Sequence, residues 1–278
     1  MLSAGKYHTL TVARISDHGL YLADDEGCEV LLPNRFISLA DKVGDTKEVF
    51  VYHDSEDRLV ASTERPLATV GEVALLRTVD KNIHGAFLDW GLKAKHLFVP
   101  NRNQKTPMRI GESYLVYLYE DSRTSRAVGT ARLNSYISNS SIALAVGERV
   151  SILVAMRLEA GYRVVVNNAH WGMIYTNQLF RPVVLGEKTE GWVAKITEDS
   201  RIDISLQQGG YDGIRACADE LLALLASAGG MLPLGDASSP ADIAAATRMS
   251  KKVFKRAAGH LLKTGRVELT PQGIKLLK

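Results

Sequence analysis

Two cysteines in 278 residues, Cys28 and Cys217, leave no material for a disulfide framework and no paired spacing for a structural metal. Both read as small buried hydrophobes. No apolar run approaches the roughly 20 residues that a bilayer-spanning helix needs. The N-terminal MLSAGKYHTL also lacks a secretory apolar segment, so the expected location is the cytoplasm, with no membrane partner. Motifs for chemistry are missing as well: HExxH, GxSxG, the P-loop pattern and CxxC do not occur, and the seven histidines are scattered. Neither an enzyme nor a cofactor or metal is expected. What is present is a folding composition, 46% hydrophobic and 23% charged, over a length that calls for several domains.

An internal repeat organises the first three quarters of the chain. Each copy opens on a glycine with alternating apolar residues: Gly19-Leu20-Tyr21-Leu22, Gly85-Ala86-Phe87-Leu88 and Gly161-Tyr162-Arg163-Val164. A second apolar strand follows, at 30–33, 97–100 and 172–175. An apolar-Gly-acid punctuation comes next, at 43–45, 110–112 and 185–187. Each copy closes with an arginine leading into a short strand, at Arg58, Arg126 and Arg201. Short alternating strands separated by turn residues, in units this small, predict closed β-barrels.

From about Gly210 the spacing becomes helical. Ile214, Cys217, Leu221, Leu224, Leu225 and Ala228 form a stripe that Gly229-Gly230 ends. Ser239-Pro240-Ala241-Asp242 is a helix start, and a third helix runs from Ser250 to Gly265. Val253, Phe254, Ala257, Ala258, Leu261 and Leu262 form its apolar face, and Lys252, Lys255, Arg256 and Lys263 line the other. A hairpin over 266–277 completes the order of a winged helix. The expected domains are barrel one (1–65), barrel two (66–140), barrel three (141–209) and a winged helix (210–278). Their net charges are −5, +4, 0 and +4, so a polyanion is drawn to the second and fourth and repelled by the first.

The third copy, with Gly172-Met173-Ile174-Tyr175-Thr176-Asn177-Gln178-Leu179 and Gly191-Trp192-Val193-Ala194-Lys195 ahead of Arg201-Ile202-Asp203-Ile204-Ser205, resembles an S1-type RNA-binding OB domain. Together with Ser238-Ser239-Pro240 and Met249-Ser250-Lys251-Lys252-Val253-Phe254-Lys255, the whole chain resembles the conserved virulence factor B family. The resemblance implies three tandem S1-like barrels, a winged helix, and binding of RNA or single-stranded nucleic acid in the regulation of gene expression. It also implies a stacking pair in each barrel: His18 and Tyr21, then His84 and Phe87, with the pair lost in the third as Ala160 and Arg163. The family's later histidine position reads Pro33, Pro100 and Tyr175, and its closing arginine is kept as Arg58, Arg126 and Arg201.

Barrel two combines stacking residues with positive charge. Strand parity turns Phe87 outward, the direction of Trp90 stays open, and Lys81, Lys93, Lys95 and Arg102 are placed to meet phosphates. In barrel three, Trp171, Tyr175 and Trp192 offer a platform with at least one of them expected in the core. Lys252, Lys255, Arg256, Lys263 and Arg266 give the winged helix a basic footprint, joined by Lys275. The acidic run Asp24-Asp25-Glu26 suits barrel one to packing on a neighbour or binding a protein. Three readings stay open: a single-stranded RNA binder using barrels and winged helix together, a winged-helix regulator on duplex DNA, and a protein-interaction scaffold with residual nucleic-acid affinity.

Overall fold

The computed structural model describes residues 2–277 apart from Phe180 and Gly209. The chain divides into two compact units, Met1–Ile137 and Ser138–Lys278.

In the first unit, β1 (Lys6–Ser16), β2 (Gly19–Ala23), β3 (Glu29–Pro33), β4 (Thr46–His53) and β5 (Leu59–Ser62) close a barrel in the order β1-β2-β3-β5-β4. A second barrel follows from β6 (Val73–Lys81), β7 (Gly85–Leu92), β8 (Lys95–Pro100), β9 (Ser113–Glu120) and β10 (Ala127–Thr130). The second unit begins with a third barrel of β11 (Arg149–Leu158), β12 (Gly161–Val166), β13 (His170–Tyr175), β14 (Lys188–Ile196) and β15 (Ile202–Ser205). In every barrel the first strand pairs antiparallel with the second and fourth, and the third runs parallel to the fifth.

The repeat seen in the sequence has a backbone cause. Each first strand carries a bulge, at Val12/Arg14, Thr78/Asp80 and Val154/Met156. The Gly-acid punctuation clamps the residue at that bulge. Gly44, Gly111 and Gly186 donate to the carbonyls of Val12, Thr78 and Val154, whose amides donate back to the carbonyls of Asp45, Glu112 and Glu187. The opening glycine is a matter of space: a Cβ on Gly161 would lie 2.0 Å from the Ile174 carbonyl oxygen, at a φ of +157°.

The winged helix is built from α1 (Gly210–Ser227), β16 (Met231–Leu232), α2 (Pro240–Thr247), α3 (Lys251–Lys263), β17 (Val267–Thr270) and β18 (Gly273–Leu276), the strands in the order β16-β18-β17. Ser239 caps α2 by accepting the Asp242 amide, and Ser250 caps α3 through Val253. Leu221, Leu225, Ile243, Met249, Phe254, Ala257 and Leu261 meet in one core. Three expectations are corrected. Cys217 is buried but Cys28 is exposed in the β2–β3 turn. Leu262 is 47% exposed because it sits past the edge of the packed face of α3. Ala228 lies beyond the end of α1 and is exposed.

Barrels one and two share a core. Phe50, Tyr52 and Val60 of the first pack in one cluster with Trp90, Leu92, Leu97 and Leu118 of the second. Phe50 meets Trp90 edge to face at 5.4 Å, an arrangement the ring quadrupoles favour. The joining segment is pinned by Val70 N–H donating to Gly5 O, Leu67 N–H to Trp90 O, and the Trp90 indole to Ala68 O. Packing on a neighbour is what barrel one does.

Candidate nucleic-acid interface

At this seam a cleft of about 360 Å³ opens between the two barrels. Barrel one supplies Tyr52 and His53 from the end of β4. Barrel two supplies Asn82 and His84 from the β6–β7 turn, Phe87 and Trp90 from β7, and Lys95, His96 and Phe98 from β8. Arg126, Ala127 and Val128 close it at β10.

Its walls follow from strand alternation. Ala86, Leu88 and Trp90 turn into barrel two, while Phe87 is half-buried on the outer side and lies against half-buried Phe98 with centroids 5.1 Å apart. Outward placement of Phe87 is therefore observed, and its ring has Phe98 as a partner. Trp90 is not an exposed platform. It is 2% exposed and donates its Nε1 to Ala68 O at 2.7 Å, because the β7 alternation carries it inward. It lines the cleft only from the core side.

Two of the polar groups that line it, Lys95 and Arg126, are cations. The half-buried Lys95 donates its Nζ to the Asp54 carbonyl oxygen at 3.1 Å. Burial pushes its ammonium below the ordinary lysine range, Arg126 pushes the same way, and Asp54 and Asp57 oppose. His84 is exposed on a turn built by Asn82 Oδ1, which accepts the amides of His84 and Gly85. The Nδ1 of His53 is buried with no hydrogen-bond partner. An aromatic pair beside two fixed cations can stack a base and hold its phosphate.

Of the residues singled out in the sequence, the cleft gathers His84, Phe87, Trp90, Lys95 and Arg126. Lys81, Lys93 and Arg102 are exposed and do not line it. The amide of Lys93 donates to Glu64, and Arg102 pairs with Asp121 at 3.5 Å. Sequence reasoning missed Tyr52, His53, His96 and Phe98. Parity in Leu97-Phe98-Val99 signals Phe98, whereas His53 lies in a barrel whose net charge is negative and carries no such signal.

In the other two barrels the positions equivalent to Phe87 are already engaged. In barrel one the Arg14 guanidinium lies 3.5 Å from the Tyr21 ring centre and is held there by Glu29 at 2.7 Å. His18 is exposed, and the Asp24 carboxylate in the next turn accepts the amides of Glu26 and Cys28. In barrel three Arg163 lies over Trp171 at 4.0 Å. Trp171, Tyr175 and Trp192 are all half-buried, so the expected core member is absent from that trio; its places are taken by Val164, Ile174 and Val193. The Asp203 carboxylate holds the Tyr175 hydroxyl above its ordinary range, and Arg201 pairs with Asp199 at 2.7 Å.

On α3, Lys252, Lys255, Arg256 and Lys263 are exposed, and Arg266 is exposed just before β17. Lys255 reaches Asp236 at 3.1 Å. Among the described residues no helix is long and apolar enough to cross a membrane.

Comparison with known proteins bears on these surfaces. An S1 domain model matches residues 4–64 and 70–131, and a CvfB-like winged helix domain model matches residues 219–276. YitL of Bacillus subtilis (strain 168) is 26% identical over 95% of this chain and 90% of its own length. Conserved virulence factor B of Staphylococcus epidermidis (strain ATCC 12228) is 26% identical over 84% of this chain and 82% of its own. The Staphylococcus saprophyticus protein of that name is 23% identical over 97% and 95%. A crystal structure of a multidomain protein with nucleic acid binding domains from Streptococcus pneumoniae TIGR4 covers 99% of this chain and 98% of its own, at 23% identity and a TM-score of 0.41. S1 and winged-helix domains together support nucleic acid as a partner of the chain. The chain thus carries S1 domains and a CvfB-like winged helix domain, and over most of its length it is similar to proteins named conserved virulence factor B.

Proposed function

We propose that the protein binds single-stranded RNA at the cleft between its first two barrels and acts by binding, without catalysis, as a regulator of gene expression. One observation carries this reading. Phe87 and Phe98 line the same cleft as Lys95 and Arg126, so a stacking surface and phosphate partners share one site. Stacking on aromatic faces tolerates any base, and unstacked single strands expose bases that duplexes do not. The basic stripe of α3 favours a second contact, in which the winged helix adds phosphate interactions and avidity.

The test is a fluorescence-anisotropy titration of the full chain with one sequence as single-stranded RNA, single-stranded DNA and duplex DNA, at two salt concentrations. The single strands are expected to bind more tightly than the duplex, RNA most tightly, with a steep salt dependence. Preferential binding of the duplex would transfer the role to the winged helix. Absence of binding to all three would favour a protein-interaction scaffold.

A further inference from the structure

The three arginines that close the barrels differ in what holds them. Arg58 is held by Asp54 and Glu56 of its own turn, and Arg201 by Asp199 of its own turn. Arg126 reaches across the seam: its Nε donates to Oδ1 of Asp57, in barrel one, at 2.5 Å. The acid of its own turn, Asp121, is occupied by the amides of Arg123 and Thr124.

Asp57 is also the odd member of the internal repeat. The residue just before the closing arginine is Asp57, Ser125 or Ser200, and all three adopt left-handed backbone, with φ of 67°, 54° and 60°. Two turns place a neutral serine there. The third places a carboxylate, and that carboxylate is hydrogen-bonded to Arg126, which lines the cleft. Arg126 chiefly, with His53 and Lys95 in support, holds the Asp57 carboxyl below its ordinary range. All three of those groups line the cleft, and one of them, His53, has a buried Nδ1 without a partner. An anion held by a guanidinium, with an ammonium and an imidazole nearby, has the surroundings that a phosphodiester seeks.

We propose that Arg126, Lys95 and His53 form a phosphate subsite shared by the first two barrels, and that the Asp57 carboxylate occupies it until the phosphodiester of a bound single strand displaces it. The subsite rests on the reading of the cleft as a single-strand site. It gives acidic barrel one two roles, contributing His53 to the ligand site and supplying the anion that competes for it. A protein carboxylate in that place raises the affinity threshold, so weak or short ligands are rejected.

The experiment compares the full chain with Asp57→Ser, the residue the other two turns carry, and Asp57→Asn, which tolerates left-handed backbone. Affinity for a labelled 12-nucleotide single-stranded RNA is read by anisotropy across a salt series, with thermal melts as a folding check. Both variants are expected to bind about three- to fivefold tighter, the gain expected from freeing one half-exposed ion pair. The gain should shrink as salt rises and disappear when Arg126→Ala is added. Unchanged or weaker binding by both variants, while Phe87→Ala still weakens binding, would make Asp57 a strut between barrels and overturn the subsite alone. If Phe87→Ala and Arg126→Ala were silent as well, the cleft itself would fall as the single-strand site.

Discussion

The Trp90 indole donates to the Ala68 carbonyl oxygen at 2.7 Å, tying a core residue of barrel two to the segment that joins it to barrel one. Two further contacts surround that bond. Leu67 N–H donates to Trp90 O, and Phe50 of barrel one packs edge to face on the indole. Trp90 therefore holds the cleft together from behind. Trp90→Ala is expected to cost about 3 to 5 kcal/mol of stability. Trp90→Phe keeps a ring in the seam but removes the donor, and is expected to cost about 1 to 3 kcal/mol. Urea unfolding checks both, and an unaltered midpoint in Trp90→Ala would contradict this role.

Phe87 differs from Trp90 in having one side available to a ligand. Phe87→Ala is expected to weaken RNA binding by about 1 to 3 kcal/mol, the contribution of one stacked base. Because the ring also lies against Phe98, some stability should go with it, less than the loss from a full core truncation. Anisotropy and a thermal melt on the same variant separate the two effects. A large drop in melting temperature with affinity intact would make Phe87 a packing residue only.

The sequence was legible where periodicity and turn chemistry act locally. The Gly-acid punctuation showed three units because each must clamp a bulge in its first strand, and that need recurs at Val12, Thr78 and Val154. Ser239 and Ser250 marked their helix starts for the same local reason. Parity turned Phe87 outward but left Trp90 open, since the Gly91 turn beyond it blurs direction in the sequence. What stayed hidden was the pairing of barrels. His53 and Asp57 belong to a barrel whose net charge repels a polyanion, and only the seam brings them beside Lys95 and Arg126. Charge summed over a domain carries no information about which edge faces a neighbour.

Glycine positions offer a paired test of the backbone account. Gly161→Ala would drive a Cβ to 2.0 Å from the Ile174 carbonyl oxygen, so the β12–β13 pairing must shift. A loss of more than about 1 kcal/mol is expected, since the native conformation is incompatible with a side chain. Gly259, inside α3, has open space where a Cβ would stand. Gly259→Ala is expected to stabilise by up to about 1 kcal/mol through helix propensity. Chemical denaturation of the two variants should move in opposite directions, and the account fails if both move alike.

The exposed stripe on α3 allows its contribution to be separated from that of the barrels. Replacing Lys252, Lys255 and Arg256 by Glu leaves buried Phe254, Ala257 and Leu261 untouched, so the fold should persist. Losing the Lys255–Asp236 pair should cost little, as Asp236 is largely in solvent and Lys255 nearly half so. If the winged helix adds phosphate contacts to an RNA site, affinity should weaken similarly across RNA sequences. The slope of log affinity against log salt should then shrink by roughly 0.7 for each lost contact with a single strand. If the helix instead reads duplex DNA, sequence-specific duplex binding should vanish while RNA binding at the cleft persists. The first outcome is expected, because stacking and phosphate partners already coincide between the barrels, where a duplex has no unstacked base to offer. Wild-type RNA binding by the triple variant at every salt concentration would remove the winged helix from the RNA site.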